Sequence, residues 1–389
     1  MAEIGQGPEK PVNSTATRSG RSAITRRRVL TGAGAAILLR PGRGTARTIR
    51  DPELGRLRVD RVAEGLEHPV ALGFLPRRQF LVAEAQGAIA LLRRGERPRR
   101  LSGVPHVFAH RLGGMFDLLV PPDIARARRL LISHARPSAV IQARLEVAEA
   151  RFDRFSEQLT DLRPVFTETA SRDSPARMGG RMVADGADGF FLLCGDRGEE
   201  DRRFDPESEA GKIFRFRRDG SLPLDGPRLA GEGLRGLWSM GHVNPRAGAL
   251  RPADGRLWIA DYARGTGAWL HRVLGGLGYL WPGAPPDAVP EGGPPAVAPL
   301  HVFADPLRPV AMCFVTGGRF RRWEGQLLIA SDRPAGITRL VLDGERVVGE
   351  RPFLDDRLGT PADLRMGPDG ALWLLAGGKR GELFRIEPA

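Results

Sequence analysis

Cysteine is nearly absent from this chain of 389 residues, which contains only Cys194 and Cys313. Neither cysteine belongs to a CxxC or CxxCH pattern, so the sequence gives no sign of a structural zinc site or of covalently attached haem. The two thiols could form a disulfide in an oxidising compartment. Each also lies in an apolar, strand-like run, so a pair of buried free thiols is the alternative that stays open.

Lysine is scarce as well, because Lys10, Lys212 and Lys379 are the only three among 59 basic residues. The formal net charge is +13, and residues 1–46 contribute +6 of it through eight basic and two acidic residues. The arginines of the remaining chain are scattered, whereas a nucleic-acid-binding surface gathers cations among aromatic residues. We therefore expect no nucleic-acid partner.

Long apolar runs are missing too, and no segment is long enough to span ~30 Å of hydrocarbon as a helix. The apolar run Thr31–Leu39 follows the basic sequence Thr25–Leu30 and precedes a small-residue cleavage motif that ends at Ala46. This arrangement resembles a twin-arginine export signal. We predict a signal peptide at 1–46, a mature domain at 47–389, and a periplasmic or secreted protein without a membrane span.

What the chain does contain is a repeated pattern, in which a turn of Pro, Asp or Gly leads into a short apolar strand. Asp-Gly at such a turn supplies the positive φ angles that a tight hairpin needs. Helical periodicity is almost absent. The five clearest occurrences are Gly73–Val82, Ala184–Leu192, Arg251–Ile259, Trp323–Ile329 and Gly367–Trp373.

These repeats predict an all-β fold, a six-bladed β-propeller. Five blades follow from the five repeats, and we expect Gly113–Ala135 to supply the sixth. Asp261–Gly293 is interpreted as an inserted loop over the face where propellers keep their ligand sites. Second strands are predicted after most repeats, at Ala88–Leu92, Lys212–Arg217, Ile337–Leu342 and Glu382–Ile386.

Short motifs occur in a fixed order along nearly the whole mature chain. They are Gly65–Pro69, Gly113–Asp117, Gly179–Arg181, Gly195–Arg197, Gly211–Ile213, Gly241–Pro245 and Gly367–Leu372. In this order they resemble the soluble glucose/sorbosone dehydrogenase family, which includes aldose sugar dehydrogenases that use pyrroloquinoline quinone (PQQ). The resemblance implies a quinone held by arginines and a lysine, a calcium ion beside it, and a histidine that takes the sugar C1 hydroxyl proton. Guanidinium groups suit a trianionic quinone, and histidine suits proton abstraction near neutral pH.

Several chemical positions depart from the family pattern. Arg177 stands where the family has its histidine, and a guanidinium stays protonated, so it cannot act as an ordinary base. Val243 replaces a quinone-binding arginine, and Thr266–Trp269 matches a calcium loop but carries no carboxylate. Thr360–Asp363 matches a segment that holds two arginines in the family and holds none here.

The resemblance nonetheless assigns candidate residues to each role. The catalytic position falls on Arg177, and His242 is a further candidate base, with the alternative that it only satisfies a turn. His110 is another histidine that could face the funnel of the propeller. The predicted cofactor-binding residues are Arg181, Asn244 and Arg333, and the predicted metal ligand is Asp261.

Three functions remain open on this basis. The first is an exported PQQ-dependent aldose dehydrogenase that uses PQQ and calcium and oxidises a sugar at C1 by hydride transfer to the quinone. The second is a catalytically inactive propeller that binds an anionic ligand through Arg177, Arg181 and Arg333. The third is lactone hydrolysis, which six-bladed propellers also host. We expect a small sugar or anion as ligand, and the sequence does not indicate an electron acceptor.

Overall fold

The computed structural model describes residues 46–110, 112–170, 176–186, 188–227 and 233–389. The predicted twin-arginine signal lies outside the described residues, apart from its last position. Within the described ranges, no helix is both long and apolar enough to cross a membrane.

Strands dominate the described residues. The first thirteen are β1 (Ala46–Asp51), β2 (Gly55–Leu66), β3 (Pro69–Leu75), β4 (Gln79–Glu84), β5 (Ile89–Leu92), β6 (Arg99–Arg100), β7 (Met115–Leu119), β8 (Arg129–Pro137), β9 (Ala143–Asp153), β10 (Gln158–Thr167), β11 (Gly179–Ala184), β12 (Gly189–Cys194) and β13 (Lys212–Arg217). The others are β14 (Leu237–Met240), β15 (Ala247–Leu250), β16 (Leu257–Ala263), β17 (Gly267–Val273), β18 (Gly278–Tyr279), β19 (Ala296–Val297), β20 (His301–Val302), β21 (Arg308–Phe314), β22 (Leu327–Arg333), β23 (Ala335–Asp343), β24 (Arg346–Leu354), β25 (Pro361–Met366), β26 (Leu372–Ala376) and β27 (Gly381–Pro388). Helix α1 (Ile124–Ala127) and short 3₁₀ turns at Pro76–Arg78, Glu200–Arg202, Arg321–Trp323 and Asp356–Leu358 complete the elements.

The described strands form six sheets, which we number in chain order. Sheet 1 is β3-β4-β5-β6, sheet 2 is β7-β8-β9-β10, sheet 3 is β11-β12-β13-β14-β18-β19, sheet 4 is β15-β16-β17-β20, sheet 5 is β21-β22-β23-β24, and sheet 6 is β25-β26-β27-β2-β1. Neighbouring strands pair antiparallel except where β18 joins β14 and β19 joins β18, which are parallel pairings. Most strands are therefore connected to their neighbours by local hairpins.

The first strand of each sheet contacts its counterpart in the next sheet, from β3 to β7, β11, β15, β21 and β25. The series closes because β25 in turn contacts β3. A ring of antiparallel sheets around a central axis is a β-propeller, so the predicted all-β propeller fold is confirmed.

The chain closes the ring by pairing its two described ends. Strand β2 pairs with β27, so that Val59 lies opposite Ile386 in sheet 6. The two residues belong to one buried cluster with Val310 and Leu328 of sheet 5. Each large apolar side chain buried in such a cluster contributes roughly 1.5–3 kcal/mol, so the seam between the chain ends is also a hydrophobic interface.

The strands predicted from the repeats are present, including β7 and β8 within Gly113–Ala135. The interpretation of Asp261–Gly293 as a loop is wrong, because the end of β16, all of β17 and β18 lie in it. The turn Arg264–Gly267, with two glycines and one arginine, resembles a loop in the sequence, but it joins the strands of a hairpin that buries Trp269 and Leu270. Cys194 and Cys313 are both buried and free, so the structure supports the alternative of two unpaired thiols.

Candidate functional site

A cavity of about 530 Å³ lies on the propeller axis, and each of the six sheets supplies part of its lining. The first strand of each sheet begins at this cavity, so residues within two positions of each strand's start surround it. These residues are Val70, Met115, Gly179, Arg246, Val310 and Pro361. The ring of sheets therefore brings together short segments that are far apart in the sequence.

Arg177 lines this cavity just before β11. Its φ angle is 48°, a left-handed conformation that costs a non-glycine residue roughly 1–2 kcal/mol. Its Nη1 atom donates to Oδ2 of the fully buried Asp196 at 3.0 Å. The structure thus places Arg177, the residue predicted to stand at the family's histidine position, at the cavity as a hydrogen-bond donor.

A second arginine shares the carboxylate of Asp196. Arg203 donates to Oδ2 of Asp196 from Nε at 2.9 Å and from Nη2 at 2.6 Å. The guanidinium of Arg203 also stacks on the ring of Trp281, with 4.5 Å between Cζ and the ring centroid. Because Arg203 already holds Asp196 in place, Arg177 is free to respond to a ligand without leaving that carboxylate unpaired.

Arg181 also lines the cavity, but its charge is balanced inside the protein. Its Nη1 atom lies 3.2 Å from Oδ1 of Asp117 and 3.5 Å from Oδ1 of Asp363. Arg365 pairs with the same two aspartates at 2.8 and 2.7 Å. Both carboxylates also accept backbone N–H groups of a neighbouring sheet, Met182 for Asp117 and Leu72 for Asp363. This buried quartet joins sheets 1, 2, 3 and 6 at the axis.

Arg246 is the cation that the sequence analysis missed. It lines the cavity, and its Nε atom donates to the carbonyl oxygen of Pro309 at 2.8 Å. Among the described residues, no carboxylate lies within ion-pair distance of its guanidinium. Burial lowers the pKa of Arg246; Asp332 opposes this shift, and the nearby Arg308 and Arg181 add to it.

Arg246 supplies the cavity with a cation close to Val243, the position where the resemblance predicts a quinone-binding arginine. The side chain of Val243 is buried, and Arg246 follows only three positions later, directly before β15. The available signal was the sequence Asn-Pro-Arg, in which the arginine directly follows the motif Gly241–Pro245.

Two further polar side chains complete the wall beside Arg246. Asn244 is only 8% exposed and lines the cavity, and none of the described residues hydrogen-bonds to its carboxamide. Asp332 lines the cavity while Arg308 holds its carboxylate at both oxygens, with distances of 2.7 and 2.6 Å. Asn244 therefore has open donors and acceptors, and Asp332 retains acceptor lone pairs.

His242 and Asp261 lie behind the cavity wall rather than in its lining. The Nε2 atom of His242 is 2.9 Å from the hydroxyl oxygen of Ser239, and its ring stacks on Tyr279 with centroids 5.1 Å apart. Burial, followed by the neighbouring His271 and Lys212, lowers the pKa of His242 well below its ordinary value. These contacts are the ones expected under the alternative in which His242 only satisfies a turn inside the protein.

The carboxylate of Asp261 is satisfied by the protein backbone. It accepts the N–H groups of Val243, Asn244 and Tyr262 at 3.0, 2.5 and 2.8 Å. Burial raises the pKa of Asp261 to about 6, although those three hydrogen bonds lower it. The aspartate thus fixes the backbone of Asn244 at the cavity.

Arg333 and His110 are exposed, and neither is among the residues that line the cavity. The anion-binding cluster expected from the sequence consisted of Arg177, Arg181 and Arg333. The structure instead brings Arg246 to the cavity with the first two.

The side chains of the cavity do not match the charge of a trianionic quinone. Arg181 is balanced by Asp117 and Asp363, and the carboxylate of Asp332 faces the same space, so Arg246 is the uncompensated cation among the described lining residues. Calcium requires several oxygen ligands, and the described residues contain no group of three His, Cys, Asp or Glu side chains placed to hold a metal ion.

Comparison with known proteins relates this architecture to one family. The family model described as Glucose / Sorbosone dehydrogenase matches residues 66–385. Aldose sugar dehydrogenase YliI of Escherichia coli (strain K12) is 29% identical over 350 residues, which are 85% of this chain and 92% of that protein.

Solved structures give the same relationship. A structure described as glucose dehydrogenase is 31% identical with a TM-score of 0.78, and the match covers 84% of this chain and 98% of that one. The PQQ-bound aldose sugar dehydrogenase of Streptomyces coelicolor has the same fold at 22% identity and a TM-score of 0.69, covering 88% of this chain and 98% of its own. The match of the family model over most of the chain shows that this protein belongs to the glucose/sorbosone dehydrogenase family.

Proposed function

We propose that the central cavity binds a small anionic molecule and that this chain has not retained the sugar-oxidising chemistry of its family. The observation that carries the proposal is the guanidinium of Arg246, which lines the cavity without a carboxylate partner among the described residues. An ionised group that is partly removed from water is costly unless it is paired. A bound anion would supply that pair.

The groups around the cavity support binding more than proton transfer. Arg177 stands at the position predicted for the family base, and its guanidinium offers hydrogen-bond donors but no acceptor for a proton. The carboxylate of Asp332 is engaged by Arg308 at both oxygens. No histidine is found among the described residues that line the cavity.

Calorimetric titration with acetate, oxalate and phosphate tests the proposal. We expect at least one of these anions to bind the wild-type protein and to bind Arg246→Gln at least tenfold more weakly. The exposed Arg321, which lies in a depression away from the axis, provides the matched control variant Arg321→Gln. The proposal fails if none of the anions binds, or if both variants bind like the wild type.

The second candidate is PQQ-dependent oxidation of an aldose at C1, which family membership and the axial position of the cavity favour. In this function, the quinone or sugar would be contacted by Arg177, Arg181, Asn244 and Arg333. His242 would be the remaining base. Asp261 would be a ligand of the calcium ion. Protein mixed with PQQ and calcium would then reduce an artificial electron acceptor when glucose is added. Such reduction, lost in Arg177→Ala, would overturn the proposal of binding without oxidation.

Two further points belong to the same proposal. We take each of the six sheets as one blade, which makes the ring a six-bladed propeller.

We also propose export to the periplasm or beyond through the twin-arginine route, on the basis of Thr25–Leu30 and the apolar run Thr31–Leu39. Replacing Arg26 and Arg27 by lysine should retain the protein in the cytoplasm, and unchanged export would contradict this point.

A further inference from the structure

The charges around the cavity leave one cation to be matched by a ligand. Arg181 and Arg365 are balanced by Asp117 and Asp363. Arg177 and Arg203 are balanced by two other carboxylates, the buried Asp196 and the exposed Glu200. Among the described lining residues, Arg246 is therefore the cation that one negative charge of a ligand would neutralise. Its planar guanidinium suits a carboxylate.

The carboxylate of Asp332 determines what the rest of the ligand can carry. It faces the same cavity as Arg246, so a second anionic group of the ligand beside it would be repelled. Arg308 occupies one acceptor position on each of its oxygens. A carboxylate has about four acceptor positions, so each oxygen can still accept a hydroxyl donor.

Two other polar side chains of the cavity lining, those of Asn244 and Thr360, also favour a ligand that carries hydroxyl groups. The carboxamide of Asn244 is nine-tenths buried and receives no hydrogen bond from the described residues, so it offers both donors and an acceptor to the cavity. Thr360, which directly precedes β25, also lines the cavity and carries a hydroxyl group. A ligand with several hydroxyl groups can satisfy these side chains, whereas a simple carboxylate leaves them unmatched.

We infer that the ligand of the central cavity is a sugar acid, a polyhydroxylated molecule with one carboxylate. The carboxylate pairs with Arg246, and the hydroxyl groups bind Asp332, Asn244 and Thr360. This inference rests on the proposed anion-binding function and specifies its ligand class. No bond is made or broken in the process.

Calorimetric titration with sodium gluconate, sodium acetate and glucose tests the ligand class on the wild-type protein. Gluconate has both the carboxylate and the hydroxyl groups, acetate has only the carboxylate, and glucose has only the hydroxyl groups. We expect gluconate to bind at least tenfold more tightly than either of the other two. PQQ is titrated in parallel as the competing ligand.

Variants separate the contributions of the two groups. Arg246→Gln should weaken gluconate binding at least tenfold, and Asp332→Asn should weaken gluconate binding several-fold without weakening acetate binding. Thr360→Val should also weaken gluconate binding without weakening acetate binding. If Asp332→Asn does not fold because the ion pair between Asp332 and Arg308 is lost, Thr360→Val replaces that variant in the test. Asp343→Asn, which alters an exposed aspartate on β23, is the matched control and should bind like the wild type.

The outcomes distinguish this inference from the function on which it rests. Equal binding of acetate and gluconate would overturn the sugar-acid inference and leave anion binding intact. Equal binding of glucose and gluconate, or no binding of either carboxylate, would overturn both. If one PQQ binds per protein molecule, and more tightly than gluconate, both the sugar-acid inference and the proposed anion-binding function are overturned in favour of quinone binding.

Discussion

The Nη1 atom of Arg177 lies 3.0 Å from Oδ2 of Asp196, a carboxylate that is fully buried between two arginines. This contact makes Arg177, at the position predicted for the family's histidine, part of an ion pair with a buried carboxylate. Arg177 retains 36% exposure of its side chain at the cavity, whereas Arg203 on the other side of the carboxylate retains only 3%. The two arginines should therefore differ in their contributions to stability.

Replacing Arg177 and Arg203 one at a time tests this difference. Arg177→Ala should lower the free energy of unfolding by about 1 kcal/mol or less, because partly exposed ion pairs are weakened by water. Arg203→Ala should cost about 3 kcal/mol or more, because it removes the principal partner of a buried charge and the stack on Trp281. Urea denaturation of both variants measures the costs. Equal losses would show that Arg177 is a structural residue and is not available to a ligand.

The quartet of Arg181, Asp117, Arg365 and Asp363 predicts a second result. Arg181→Met should lower the free energy of unfolding by about 3–5 kcal/mol, because two buried aspartates would be left to Arg365 alone. Denaturation by guanidinium chloride measures this cost. Arg333→Met, at an exposed position, should change stability by less than about 0.5 kcal/mol. If Arg181→Met is as stable as the wild type, Arg181 is not needed by the buried aspartates, and the ligand-binding role predicted from the sequence would stand instead.

Gly195 holds the segment of Arg177 close to the end of β12. A Cβ atom added at Gly195 would overlap the carbonyl oxygen of Arg177, so the two segments could not keep their contact. Gly195→Ala should lower the free energy of unfolding by roughly 1–3 kcal/mol and weaken anion binding. Thermal unfolding and calorimetric titration give the two readouts. Gly349→Ala, where the nearest groups belong to the flexible side chain of Arg351, is the control and should be nearly neutral.

Two buried histidines behind the cavity predict a loss of stability in acid. Burial lowers the pKa of His271 to about 3, and the pKa of His242 is also lowered. The unfolded chain therefore binds protons as the pH falls below about 6.5, whereas the folded protein does not, and folding is disfavoured from there down to the folded pKa. His271 alone should cost about 2 kcal/mol at pH 5 relative to pH 7.5.

The raised pKa of Asp261 acts in the opposite direction, because its folded carboxyl takes up a proton near pH 6 and favours the folded state as the pH falls. Comparing the wild type with His271→Gln cancels that contribution. Glutamine can still accept the hydrogen bond that Trp269 donates to His271 at 3.0 Å. Unfolding free energies at pH 7.5 and 5.0 should fall by about 2 kcal/mol less in the variant. Parallel losses in the two proteins would contradict a neutral buried His271.

The fold could be predicted from local sequence signals because a hairpin depends on a few neighbouring residues. Turns such as Asp369-Gly370 and the apolar strands after them specify antiparallel pairs without reference to the rest of the chain. The same reasoning fails at Asp261–Gly293, because the glycine-rich turn between β16 and β17 resembles a loop in the sequence although it joins two strands of a hairpin. Family motifs also located Arg177, Arg181 and Asn244 at the cavity.

The roles of those residues could not be predicted in the same way, because charge balance depends on distant partners. Asp363 neutralises Arg181 from 182 positions away in the chain, and its effect exists only after sheets 3 and 6 meet at the axis. Arg246 is the converse case, since its place directly after the motif Gly241–Pro245 points to the cavity but does not tell whether a carboxylate neutralises it. That no carboxylate among the described residues pairs with it becomes visible only when the ring closes around it.

The sequence by itself determined the strands, their hairpin pairing and the family, because turn chemistry and apolar periodicity act over a few residues. Only the tertiary structure decided which cations face the cavity, which are neutralised, and which candidates lie behind its wall. The physical reason is that this site is assembled from residues near the starts of strands in six different sheets. Coulombic and hydrogen-bond partners there are chosen by distance in space and not by distance along the chain.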